Sequence, residues 1–86
     1  MNYLGIDFKW ELNLKEKEFI KYLVEHDYKI KEAKEFPTKI KLKIEKDGVV
    51  INYEIPYCVS NMNKFIKNFE HSFELSKKVY EMGQRL

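Results

Sequence analysis

Apolar and polar residues alternate without a break over residues 4–12. Leu4, Ile6, Phe8, Trp10 and Leu12 are apolar, with Gly5, Asp7, Lys9 and Glu11 between them. A period of two predicts a strand with one buried face. The period then changes. Asn13 is a helix N-cap with Glu16 at the capping-box position, and Phe19, Ile20, Leu23 and Val24 form one apolar stripe at helical spacing. A helix is expected over residues 14–26. Alternation returns at Tyr28 and Ile30 and predicts a second strand ending before Pro37. In the third strand Ile40, Leu42 and Ile44 face inward, with Lys39, Lys41, Lys43 and Glu45 outward. Asp47-Gly48 marks a two-residue type I′ hairpin turn. Val49, Ile51, Tyr53, Ile55 and Tyr57 then share the inner face of a fourth strand.

The hairpin fixes its own register. With Asp47 and Gly48 as the loop, Ile44 faces Ile51, Leu42 faces Tyr53 and Ile40 faces Ile55, all on one face, and Lys41 falls opposite Glu54 on the other. Pro56 marks an edge or the end of pairing. Ser60 is the expected N-cap of a last helix over residues 61–82, with Gly83 as its stop. The order is βαβββα. The expected architecture is a two-layer α+β fold, an antiparallel four-stranded sheet with both helices packed on one face, forming a single domain over residues 1–86.

The last helix carries two apolar stripes. Met62, Phe65, Ile66, Phe69, Phe73 and Tyr80 form a core face. Leu75, Val79, Met82 and Leu86 lie on a second side, more than a right angle away. At about 1.5 Å per residue such a helix is over ~30 Å long, more than a short sheet needs for cover. The second stripe is therefore a candidate contact surface for a protein partner or a second copy.

Composition bounds the function. The 86 residues are 44% hydrophobic and 15% aromatic, a globular makeup. Sixteen Lys+Arg against 14 Asp+Glu leave a formal charge of +2, which favours neither a strongly acidic mimic nor a strongly basic binder of nucleic acid. On the expected sheet, however, Lys29, Lys31, Lys39, Lys41 and Lys43 share the outer face. They are candidates for binding phosphate, RNA or an acidic protein, although lysines also protect sheet edges from aggregation. The single cysteine, Cys58, excludes an intrachain disulfide and suits a reducing cytoplasm. No apolar run approaches a membrane span, and residues 1–10 do not resemble a signal peptide.

Catalytic chemistry is not indicated. His26 and His71 fall on different helices and have no ligand-spaced partners, so no metal is expected. Cys58 reads as a small hydrophobe at a strand end. Glu16 and Glu18 fall on a helix exterior, and no glycine-rich loop could cradle a phosphate. The expectation is a non-enzymatic interaction protein with no cofactor.

Three strings carry a resemblance. His26-Asp27-Tyr28-Lys29-Ile30-Lys31 leads from helix to strand, Lys46-Asp47-Gly48 turns the hairpin, and Lys64-Phe65-Ile66-Lys67-Asn68-Phe69 follows in the last helix. Over about residues 18–73 the chain resembles small phage-encoded anti-CRISPR inhibitors of the type II RNA-guided nuclease. The resemblance implies a phage-type inhibitor acting in a host cytoplasm. Asp27, Asp47 and Gly48 would meet the arginines with which such nucleases read their short DNA signal. That family ends in a strongly acidic helical region. Here Lys77, Lys78 and Arg85 stand among fewer acids and an extra strand over residues 4–12 precedes the first helix, which fits a different CRISPR effector, or contact through the long helix, better than DNA mimicry. The element order also resembles ribosome-hibernation factors, and its last five elements resemble double-stranded-RNA-binding domains. An RNA- or ribosome-binding module is thus one alternative, and a homodimeric assembly protein another.

Overall fold

Asn13 opens the first helix as its sequence requires. Its side-chain oxygen accepts the Glu16 amide at 2.8 Å, and the Glu16 carboxylate accepts the Asn13 amide at 2.8 Å, a complete capping box. In the structure, a computed structural model that describes residues 1–84, seven elements follow one another. They are β1 (Asn2–Tyr3), β2 (Ile6–Asp7), α1 (Leu14–Glu25), β3 (Lys29–Phe36), β4 (Lys39–Lys46), β5 (Val49–Pro56) and α2 (Met62–Gln84). No helix among the described residues is long and apolar enough to cross a membrane.

The β4–β5 hairpin has the predicted register. Ile44 pairs with Ile51, Leu42 with Tyr53, Ile40 with Ile55 and Lys41 with Glu54. Asp47 and Gly48 both take positive φ, 53° and 80°, as a type I′ turn requires. The three-stranded sheet runs β3-β4-β5, so β5 is an edge strand and tolerates Pro56 at its end. Phe19, Ile20 and Leu23 of α1 meet Ile40, Leu42, Ile44, Ile51 and Ile55 of the sheet and Phe69 and Phe73 of α2 in one core. Both helices thus cover the same sheet face. Phe69 is fully buried and lies edge-on to Phe19, Tyr28 and Tyr53, with ring centroids 5.1–5.4 Å apart.

The fold is α+β, but the four-stranded sheet is not formed. Leu4 and Gly5 both adopt positive φ, 51° and 83°, and reverse the chain into a two-stranded hairpin, with Tyr3 paired to Ile6. Met1 and Phe8 close it with reciprocal hydrogen bonds of 2.7 Å. Phe8 and Leu12 are buried as predicted, whereas Leu4 and Trp10 are half exposed. Alternation alone cannot separate a straight strand from a tight hairpin followed by an extended arm.

Two further corrections concern local chemistry. The N-cap of α2 is Asn61, not Ser60: the Asn61 side chain accepts the Lys64 amide at 3.1 Å. Gly83 lies inside the helix rather than ending it. In β3 the register slips between Ile30 and Glu32: Ile30 faces Ile44, yet Glu32 faces Lys43. The extra residue, Lys31, makes a bulge that inverts the facing of everything after it. Glu32 and Lys34 join the outer face, and Ala33 and Glu35 turn to the inner side, against the simple alternation read from Tyr28 onward.

The bulge thereby ties the N-terminal arm to the sheet. The inward Glu35 carboxylate accepts the backbone amides of Lys9 and of Trp10, the latter at 3.0 Å. Residues 9–10 are thus pinned to the exposed edge strand β3, one of the ways natural sheets avoid edge-to-edge pairing.

Candidate functional site

Helix α1 ends in a Schellman motif: the Tyr28 amide donates to the Leu23 carbonyl at 2.9 Å and the Asp27 amide to the Val24 carbonyl at 3.3 Å. The left-handed residue such a motif needs is Asp27, with φ 64°. Glycine would take that conformation without strain, and a negative charge at a helix C-terminus opposes the helix dipole. No basic residue stands in the last turn to compensate. The Asp27 side chain is exposed and is in no ion pair among the described residues.

The fold brings the second acidic turn to the same end. Asp47 and Gly48 tip the hairpin beside Tyr28, over whose ring Lys46 Nζ sits 4.6 Å from the centroid. Burial raises the Tyr28 phenol above its ordinary pKa, and the nearby charges of Glu70, Glu74 and Asp47 add to the rise. The Tyr22 hydroxyl donates to Glu70 at 2.8 Å. Burial and that acceptor together hold its phenol well above the usual range, and burial alone raises Tyr53. Raised phenol pKa values mean that neutral tyrosine is the form the fold accommodates. Their stabilisation is complete below pH about 10 and is lost as pH climbs toward the folded values. Ultraviolet titration should therefore show three of the six tyrosines resisting ionisation beyond pH ~10 and released together with alkaline unfolding. Six tyrosines titrating normally in the folded protein would contradict this packing.

Helix α2 runs along the sheet to the same tip. A Cβ placed on Gly48 would stand 3.3 Å from the Tyr80 hydroxyl, so the helix stays against the sheet as far as residue 80. Beyond the covered stripe, Leu75, Val79 and Met82 are 51%, 69% and 67% exposed. Leu86, the fourth residue of that stripe, lies outside the described residues. Asp27, Asp47, Gly48 and the apolar flank of α2 thus gather at one end of the molecule.

The lysine face is less available than the sequence suggests. Lys31 pairs with Glu45 at 3.6 Å, Lys34 with Glu32 at 3.8 Å, and Lys39 and Lys41 share Glu54 at 3.4 and 3.9 Å. Lys29 and Lys43 have no such partner among the described residues. Lys34 and Glu32 joined this face through the bulge, and each added lysine came with a carboxylate. Across the face a shallow groove of about 290 Å3 is lined by both signs of charge, Glu32 and Glu54 with Lys34, Lys41 and Lys43.

The isolated candidates stay apart. His26 caps its own helix, with Nδ1 2.9 Å from the Tyr22 carbonyl oxygen. Cys58 is exposed, not packed as a small hydrophobe. Glu16 is buried within the capping box, not on the helix exterior. No group of three or more His, Cys, Asp or Glu among the described residues could hold a metal ion.

One surface has no counterpart in the sequence reading. Trp10, Phe36, Pro37 and Tyr57 line a groove of about 300 Å3 at the opposite end of the sheet, with Glu11, Glu16 and Glu35 at its walls. It exists because the N-terminal arm folds back and because the β3 bulge re-aims Glu35. Alternation places Trp10 and Tyr57 on inward faces, whereas both are exposed, so the sequence pattern points away from this groove. Comparison with known proteins returns no match: no family model, no curated protein and no solved structure matches the chain.

Proposed function

We propose that this chain is a small non-enzymatic inhibitor of phage or mobile-element type that binds a host defence protein, with an anti-CRISPR protein as its specific form. The binding end carries Asp27 and the Asp47-Gly48 tip for arginines of the target, flanked by Leu75, Val79 and Met82 for an apolar contact. The observation that carries the reading is Asp27. It occupies the position where glycine is the better residue and puts the wrong sign of charge at a helix C-terminus. Local rules broken without a compensating contact are expected at functional positions.

The RNA-binding alternative has less support, because most lysines it requires are already within ion-pair distance of glutamates on a mixed-charge face. A homodimer through the α2 flank uses the same apolar residues as the inhibitor reading and lacks a role for the acidic turns.

Purified type II RNA-guided nucleases provide the test, scored for binding and for inhibition of DNA cleavage. Asp27→Gly should stabilise the protein by about 0.5–1 kcal/mol, through relief of backbone strain and of the unfavourable dipole contact, while weakening inhibition. Asp47→Lys should abolish inhibition at unchanged fold. Failure of the unmodified protein to bind any such nuclease would remove the type II nuclease as its target. Full inhibition by both variants would remove the acidic turns from the mechanism.

A further inference from the structure

We propose that the groove between Trp10, Phe36 and Tyr57 holds an arginine side chain of a partner protein. The site is independent of the acidic turns. Strands β3 and β4 are each eight residues long and separate the two ends by about 25 Å at ~3.3 Å per residue.

Three large aromatic side chains stand half exposed around one groove: Trp10 at 51%, Phe36 at 40% and Tyr57 at 62%. Their backbones are held in place from three directions. Trp10 donates its amide to Glu35 at 3.0 Å, Tyr57 donates its amide to the Thr38 carbonyl at 2.9 Å, and the Tyr57 carbonyl accepts Asn13 Nδ2 at 2.8 Å. Helix α1, the β3–β4 turn and the segment after β5 are thereby locked together, so the groove is formed before any ligand arrives.

Charge selects the occupant. On the outer sheet face Glu32, Glu45 and Glu54 each stand within 4 Å of a lysine. The groove carboxylates Glu11, Glu16 and Glu35 have no ion-pair partner among the described residues, and no lysine or arginine is among the groove's lining residues. Lys39 and Lys41 Nζ already stand 5.9 and 5.5 Å from the Phe36 ring centroid, so the rings left to an incoming cation are those of Trp10 and Tyr57, beside the groove carboxylates.

Such a pocket complements a cation with an apolar, stackable face. A metal ion is disfavoured by geometry, since these carboxylates are not gathered as ligands. Glu35 already accepts two backbone amides and Glu16 accepts the Asn13 amide, so ring faces must supply much of the contact, with Glu11 free at the rim. Guanidinium is planar, weakly hydrated and stacks on aromatic rings, whereas ammonium demands more hydration. A groove of about 300 Å3 lies at the small end of ligand sites and suits a side chain.

Trp10 is the single tryptophan, so its emission reports on this groove alone. The probe is an acetylated, amidated Gly-Arg-Gly-Arg-Gly peptide, with Gly-Lys-Gly-Lys-Gly as its counterpart, titrated into the full chain. The expected result is a saturable change in Trp10 emission with the arginine peptide and at least fivefold weaker binding of the lysine peptide. Glu11→Lys and Tyr57→Ala should weaken the arginine peptide at least tenfold, and Asp47→Lys should leave it unchanged. Glu11 is exposed and holds nothing together, so Glu11→Lys keeps the test decisive even where Tyr57→Ala loses its fold, as circular dichroism would show. The proposal is overturned by a non-saturating response, by equal binding to Glu11→Lys, or by loss in Asp47→Lys, which would move the peptide to the other end. A Trp10 change produced by raising protein concentration alone would seat a second copy in the groove and also overturn it.

Discussion

Phe69→Ala should remove a large share of the fold's stability. Phe69 is fully buried and is the ring on which α1, the sheet and α2 converge, edge-on to Phe19, Tyr28 and Tyr53. Truncating a buried phenylalanine costs about 3–5 kcal/mol through lost transfer energy and the cavity left behind. A chain of this length has only about 4–13 kcal/mol in total. Urea titration followed by circular dichroism measures the effect, with the midpoint falling in proportion to the stability lost. Val79→Ala, on the exposed flank of the same helix, should change stability by less than about 0.5 kcal/mol. Comparable losses in the two variants would mean that the apolar stripes of α2 are assigned to the wrong sides.

What could be read from residues alone follows from the range of the interactions involved. The Asn13–Glu16 capping box and the Asp47-Gly48 hairpin are decided by neighbours within a few positions, and both formed as their sequence predicts. The inward facing of Ile40, Leu42 and Ile44 follows from strict period two. The N-terminal segment failed for the opposite reason. Its alternation fits a strand, but its path depends on Glu35, more than twenty positions away, accepting the amides of Lys9 and Trp10. The β3 bulge is equally non-local. Nothing in Ile30-Lys31-Glu32 announces an extra residue, and only pairing against β4 reveals it. That one residue decides which charges share the lysine face and brings Glu35 to the groove. The acidic turns were legible because turn chemistry is local. The aromatic groove was not, because its walls come from the N-terminal arm, the β3–β4 turn and the segment after β5.

Function divides along the same line. A small domain with one core has few rigid places to present side chains, and the rims at the two ends of a sheet are the natural ones. Among the described residues both rims carry carboxylates outside any ion pair, while on the broad face between them Glu32, Glu45 and Glu54 are each matched with a lysine. Ion pairing on the sheet face thus leaves fewer lysines for a phosphate backbone than the sequence suggests.

Glu35→Ala should release the N-terminal arm without unfolding the core. Both carboxylate oxygens accept backbone amides, and a hydrogen bond to a charged acceptor contributes about 1.5–3 kcal/mol where it is shielded and less at an exposed site such as this. The arm has its own hairpin, closed by Met1 and Phe8, and Phe8 and Leu12 remain anchored in the core. The loss should therefore appear as local opening of residues 9–11 rather than as a lowered global stability. Amide hydrogen exchange should rise about 10- to 100-fold at Lys9 and Trp10, which corresponds to ~1.4–2.8 kcal/mol, with protection at Ile44 and Phe69 unchanged. Trp10 emission should shift to the red as the indole gains water. Glu35→Gln keeps an acceptor of the same shape without the charge, so it should retain part of the protection. Unchanged exchange at both amides in Glu35→Ala would show that the arm is held by Phe8 and Leu12 alone. The groove would then owe its shape to apolar anchoring rather than to the carboxylate that the β3 bulge turns inward.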